Sequence, residues 1–276
     1  MINIENLHFT YKNTMVFDGL NLNFQAGKIY GLLGKNGTGK STLFYNICGL
    51  LFPKRGCIKV MDYVPGERTP AFLQGISLIP EEFYLPDISI QNFIKNHSVF
   101  YPKYNQDQFD AYIREFQIPI NNKLQQLSYG QKKKVLISFS LACNTSVVLM
   151  DEPTNGLDIL SKRQFRKILA GVVDENKCIV ISTHQVKDLE SLIDQITIID
   201  EGKILFNQSI DEIMNKLVFK FSHDKSDLLN ALYAEESLTG NAIVTFNMKE
   251  ETSKVDLEML YKTVVTNGDS LRKIFN

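Results

Sequence analysis

The chain has 276 residues, 44% of them hydrophobic and 22% charged, with a net charge of −1. That length suits one large domain plus an appendage of ordinary globular composition. The balanced charge excludes a global basic field for nucleic acid, and no stretch approaches the ~20 apolar residues of a membrane helix. Met1 to Glu5 have neither the basic region nor the apolar core of a signal peptide. Cys48, Cys57, Cys143 and Cys178 sit among apolar neighbours without a C-x-x-C pair, as free thiols in a reducing cytosol would.

Residues 2–9 and 20–24 alternate apolar and polar, which predicts two half-buried antiparallel strands. Tyr11 lies between them, either as a surface residue of a turn or as a ring able to stack on a base. Ile29 to Leu33 reads as a short buried strand, and Ser41 to Leu50 as a helix with Leu43, Phe44, Ile47 and Leu50 on one side. Between them, Gly34, Lys35, Asn36, Gly37, Thr38, Gly39, Lys40, Ser41 and Thr42 fit the phosphate-loop pattern G-x-x-x-x-G-K-[ST] without a mismatch. The glycines let successive backbone N–H groups point inward, and the positive helix end favours a polyphosphate. Lys40 can reach the terminal phosphates and the Ser41 hydroxyl can sit on Mg²⁺.

Gly56 to Asp62 and Gly75 to Pro80 read as strands, the second followed by Glu81 and Glu82. These acids are either aimed at Mg²⁺ or its waters, or form a solvated loop pair. From Ile88 to Leu127 helical spacing takes over, through Ile90, Phe93 and Ile94, then Phe109, Tyr112, Ile113 and Phe116. Ser89 is an expected N-cap, and breaks fall at Tyr101-Pro102 and Ile118-Pro119. Ser128 then starts an apolar helix that runs to Cys143, where its hydroxyl and the following amides make a second anion-binding helix end. At least two of Lys132, Lys133 and Lys134 are expected on a solvated face.

Val147 to Met150 is an apolar strand suited to burial on both faces, and it ends in Asp151 and Glu152. Such strand ends face the ligand crevice. Asp151 there would hold Mg²⁺ through water, and Glu152, pointing the other way along the pleat, would polarise the attacking water. Asn155 to Asp158 predict a turn and Ile159 to Val173 a helix. Cys178 to Thr183 form another buried strand, ending at His184 where a γ-phosphate would lie. A hairpin about Glu201-Gly202 and a helix from Ser209 to Lys216 complete the core. Beyond it, Val218 to Phe221 and Ile243 to Phe246 read as strands, and Asp224 to Ala234 and Val255 to Thr266 as helices.

In this order the motifs resemble those of the ATP-binding-cassette (ABC) ATPases, over roughly residues 1–215. Tyr11 matches the family's adenine-stacking aromatic and Gly34 to Thr42 its Walker A loop. Leu127-Ser128-Tyr129-Gly130-Gln131 resembles the LSGGQ signature, with Tyr129 in place of the first glycine. Asp151 and Glu152 match the Walker B aspartate and catalytic glutamate, Asn155 to Asp158 the D-loop, and His184 the switch histidine. The family's Q-loop glutamine falls at Glu81.

The resemblance implies an α/β phosphate-loop NTPase cassette over residues 1–216. It has a mixed central sheet, an N-terminal antiparallel β part and a helical insert at about 88–143; a small α+β appendage follows over 217–276. It implies ATP and Mg²⁺ as ligands, with Ser41, Glu81 and Asp151 at the metal. Ser128, Gly130 and Gln131 would touch the nucleotide of a second cassette in a homodimer or heterodimer. A separate transmembrane permease is the expected partner, with the chain cytoplasmic and peripheral on the inner face of the membrane. No nucleic-acid partner is expected, a cassette ATPase acting on nucleic acid or ribosomes being the alternative. All expected nucleotide contacts lie upstream of Leu217.

Overall fold

The computed structural model describes residues 1–184, 190–229, 231–237, 240–248 and 251–275. Its first sheet joins β1 (Ile2–Tyr11) antiparallel to β2 (Thr14–Phe24) and to β4 (Arg55–Val60), in the order β2-β1-β4. The apolar alternation of β1 slips after Ile4, and an irregularity in the register between Ile4 and Leu7 restores Leu7 and Phe9 to the buried face. A bulge does this because the side-chain period of a strand is two.

The central sheet has six strands in the order β5-β6-β7-β3-β8-β9. Here β3 is Lys28–Leu33, β5 Ile76–Ile79, β6 Val147–Asp151, β7 Cys178–Thr183, β8 Gln195–Asp200 and β9 Lys203–Ser209. The first five are parallel, and β9 returns antiparallel at one edge. Every residue of β6 and β7 is buried, as their apolar runs require of strands covered on both faces. The pleat divides these strands between two cores. Tyr30, Leu32, Val147, Leu149 and Val180 face the N-terminal sheet and α1 (Lys40–Ile47). Ile29, Leu33, Val148, Met150, Ile179 and Ile181 face the opposite side.

A short helix, α2 (Pro70–Gly75), precedes β5. The opposite side of the sheet is covered by α3 (Ile90–Ser98), α4 (Gln106–Glu115), α5 (Tyr129–Ala142) and α6 (Ile159–Ala170). Ser89 caps α3, its Oγ accepting from the Asn92 amide at 3.1 Å. After α7 (Ile210–Lys216) comes a third sheet, ordered β10-β12-β11, from β10 (Leu217–Ser222), β11 (Tyr233–Ser237) and β12 (Gly240–Phe246).

The helix expected over Asp224 to Ala234 is cut to α8 (Lys225–Leu229). Leu232 donates its amide to Val244 O at 2.7 Å, and Tyr233 pairs with Val244, so ladder bonding draws this apolar segment into β11. The last helix, α9 (Leu257–Phe275), outruns its expected end and bends at Asn267, where φ is −130° and ψ 35°. Leu257, Leu260, Val264 and Leu271 of α9 join the same core as the insert helices. Its far end packs Phe275 edge-on against Phe206 of β9, with ring centroids 5.0 Å apart. Among the described residues no helix is long and apolar enough to cross a membrane.

Candidate active site

The phosphate loop joins the end of β3 to α1. Gly39 is the helix N-cap at φ 104°, a left-handed conformation that favours glycine, and a Cβ there would sit 2.8 Å from the Phe17 ring. No side chain caps this helix, so its first amides stay open to a ligand. Lys40 is buried and folds back over the loop, donating to Gly34 O at 2.8 Å and Lys35 O at 3.0 Å. Burial lowers its pKa, and Glu152, Asp151 and Glu81 oppose that shift. Tyr11, Asn36, Gly37, Lys40, Ser41, Thr42, Glu81, Asp151 and Glu152 line one open cleft of about 390 Å³. A larger groove of about 530 Å³ between α4 and α6 contains none of these groups.

Asp151 ends β6 and is buried, and its Oδ1 accepts a short hydrogen bond from the Ser182 hydroxyl. Glu152 does not continue the pleat. It turns left-handed at φ 45°, so its carboxylate lines the same cleft as Asp151 rather than the opposite face. That conformation costs a non-glycine residue about 1–2 kcal/mol, which the surroundings offset. The Glu152 amide donates to Ser182 O at 3.1 Å, and the buried Lys133 ammonium donates to Glu152 O at 2.6 Å and Asn155 O at 3.3 Å. His184 Nδ1 lies 2.7 Å from Glu152 Oε1; since a carboxylate only accepts, Nδ1 carries the proton.

Lys133 is a partner of Glu152 that nothing in the sequence singles out from its two lysine neighbours. Three successive residues on a helix fan over about 200°, so a lysine triplet on a packed helix turns one member inward. Lys132 and Lys134 are partly exposed while Lys133 is fully buried.

Glu81 reaches the cleft, but its Oε1 also accepts from Asn155 Nδ2 at 3.1 Å, while Glu82 is exposed and lies outside it. The signature turn stands apart from the cleft of its own chain, and Ser128, Gly130 and Gln131 do not line it. Ser128 Oγ accepts from the Gln131 amide at 3.3 Å, and Gln131 Oε1 accepts from the Ser128 amide at 3.0 Å, a reciprocal cap on α5. A Cβ on Gly130 would meet Gly156 O at 2.7 Å, so signature and D-loop pack backbone to backbone. Tyr129 donates from Oη to Glu81 O at 2.6 Å and stacks on Phe83 with centroids 5.2 Å apart. Asp158 caps α6, and two hydrogen bonds from Ser161 hold its carboxyl below the usual range.

The C-terminal region also returns to the phosphate loop. Glu258 and Tyr261 of α9 share a small cavity of about 120 Å³ with Leu33, Gly34, Lys35, Thr183 and His184. Burial raises the Tyr261 phenol pKa, with Asp200 adding to the shift and the Lys35 backbone opposing it. Lys254 pairs with Glu190 at 3.2 Å, on the segment that follows His184.

Residues 17–155 match the family described as ABC transporter. A Salmonella typhimurium relative, the cobalt import ATP-binding protein CbiO, is 32% identical over 224 residues, covering 77% of this chain and 82% of that protein. This chain belongs to the ABC transporter family of ATPases. The cassette is therefore the ATP-binding and ATP-hydrolysing subunit of such a transporter. It is also 29% identical to the Staphylococcus aureus energy-coupling factor transporter ATP-binding protein EcfA2, over 77% of this chain and 81% of that one. Among solved structures, Clostridium perfringens cbiO1, described as part of the ABC transporter complex cbiONQ, has a TM-score of 0.64 at 26% identity, over 77% of this chain and 89% of its own. A dimeric bacterial ABC transporter cassette has a TM-score of 0.67 at 24% identity, over 76% and 98%, and shares the fold.

Proposed function

We propose that the cassette of residues 1–216 holds ATP in the cleft behind Tyr11, with the phosphates on the Gly34 to Thr42 loop and Lys40 at the terminal phosphates. The accessory region is assigned to residues 217–276. Tyr11 is 46% exposed, which leaves its ring free to stack on the base. Ser41, Asp151 and Glu81 supply a hydroxyl and two carboxylates to Mg²⁺. No group of three His, Cys, Asp or Glu residues poised for a metal occurs among the described residues, and none is needed for an ion carried largely by phosphates and water. When bound, Mg²⁺ neutralises charge that develops on the transferred phosphoryl group.

Glu152 accepts a proton from the water as its oxygen attacks the γ-phosphorus, and the β–γ bridging oxygen leaves with ADP. The His184 Nδ1–H donates to Glu152 Oε1 and fixes the carboxylate in place. Glu152 Oε2 is buried without a hydrogen-bond partner among the described residues, an acceptor left over for that water. Ser128, Gly130 and Gln131, outside their own cleft, serve the γ-phosphate of a second cassette, either another copy or a related chain. Closure of that pair depends on the γ-phosphate and drives a separate membrane permease, with the cassette peripheral on the inner membrane face.

The observation that carries this reading is the meeting of the phosphate loop, Lys40, Asp151 and the Glu152–His184 pair at one cleft. Glu152→Gln is expected to lower steady-state ATP turnover about 100-fold or more, to leave ATP binding in place, and to sediment as a trapped dimer with Mg-ATP. Turnover near the wild-type rate would remove Glu152 from the base role.

A further inference from the structure

We propose that Lys133 is a positioning residue for Glu152, so that α5, which carries the signature at its N-terminus, sets the aim of the catalytic base in its own chain. The inference rests on Glu152 acting as that base. Three observations carry it. First, Glu152 occupies a left-handed backbone conformation that needs support, and the Lys133 ammonium is bonded to the carbonyl of that same residue at 2.6 Å. Second, Lys133 also holds Asn155 O at 3.3 Å, so one cation spans both ends of the turn from Glu152 to Asn155. A fully buried ammonium without such acceptors would be costly, and these carbonyls supply them. Third, Lys133 lies one helical turn beyond Tyr129 on the same face, with Nζ 5.8 Å from the Tyr129 ring. Tyr129 in turn bonds Glu81 O, and Glu81 bonds Asn155.

The first turns of α5 thus grip two loops that line the cleft, through side chains rather than through ligand. A shift of α5 when its signature engages a second nucleotide is transmitted to the Glu152 peptide through Lys133. Desolvation lowers the Lys133 pKa, while Glu81, Glu152 and Asp151 act to keep it charged, which fits an ammonium sited for the acidic cleft.

The test is a double-mutant cycle between Lys133→Met and Glu152→Gln, read by single-turnover hydrolysis with excess protein and by affinity for a fluorescent ATP analogue. Lys133→Met is expected to slow hydrolysis about 10-fold or more in the wild-type background, with nucleotide affinity within about twofold. In the Glu152→Gln background the same change is expected to cost less than about twofold, because the group it positions is already gone. Equal fold losses in both backgrounds would make Lys133 merely structural and overturn the proposal. A silent Lys133→Met would overturn it as well. Should Lys133→Met not fold, as judged by thermal melting, Lys133→Gln takes its place in the same cycle. Its amide is one methylene short of the two carbonyls, and the same outcomes decide. A Glu152→Gln single variant that hydrolyses normally would instead sink the assignment of the base itself, so the two failures are distinguishable.

Discussion

The phosphate loop and the signature turn are both helix starts that present backbone amides, yet they stand in opposite relations to their own chain. At the phosphate loop, Gly39 leaves α1 without a side-chain cap, and Lys40 closes over the loop carbonyls from inside the cleft. Glu81, Asp151 and Glu152 line the same cleft as this helix start. At the signature, Ser128 and Gln131 cap each other and Tyr129 is tied to Glu81. A ligand at the first loop adds bonds. A ligand at the second must exchange bonds that the chain already makes, each worth about 1 kcal/mol net. On the proposed function, the first loop would bind nucleotide in a lone cassette, whereas the second would respond to a phosphate delivered by a closing partner.

The sharpest way to break this comparison is complementation. Lys40→Ala is expected to lower hydrolysis about 10²- to 10³-fold, as loss of a charge-stabilising donor does elsewhere, and to abolish binding of an ATP analogue. Ser128→Ala is expected to remove hydrolysis while leaving analogue binding nearly intact, because Ser128 does not line its own cleft. Mixing the two variants pairs an intact phosphate loop with an intact signature, so coupled-assay ATPase is expected to reappear. A mixture as inactive as its components would show that the signature serves no second copy of this chain.

A smaller effect probes Glu81, which belongs to both regions. Glu81→Gln retains an oxygen for Mg²⁺ and for Asn155, so hydrolysis is expected within about tenfold of wild type, ~1.4 kcal/mol in barrier. ATP binding should become less sensitive to chelator, because the carboxylate no longer repels the γ-phosphate when the metal is withdrawn. Glu81→Ala should do more damage. Were Glu82→Ala the crippled variant and both Glu81 changes silent, the metal ligand would be the neighbour. The smallest change, Tyr129→Phe, removes only the hydroxyl that bonds Glu81 O. About 1 kcal/mol predicts a rate change of a few-fold with affinity unmoved, and a shift in affinity instead would place Tyr129 in nucleotide binding.

What was legible in the sequence was local. The phosphate loop, the buried strand ending in Asp151, and the caps at Ser89 and Ser128 are each set by residues within a few positions, and the structure has them in the expected elements. What was not legible was decided by distant partners. The left-handed turn at Glu152 is held by Lys133 from another helix and by Ser182 from the next strand. The apolar spacing before Tyr233 suited a helix until β12 offered a ladder. Nothing near Tyr261 announces that it lies beside Lys35.

That last contact has a consequence for how the molecule matures. The phosphate loop is synthesised early and α9 late, so a chain emerging from the ribosome displays Gly34 and Lys35 before Glu258 and Tyr261 exist to stand beside them. The nascent chain therefore carries its phosphate-loop residues before the helix that flanks them exists. Arrival of α9 seals that flank, and a newly made chain is complete around its phosphate loop only once translation has gone past Tyr261.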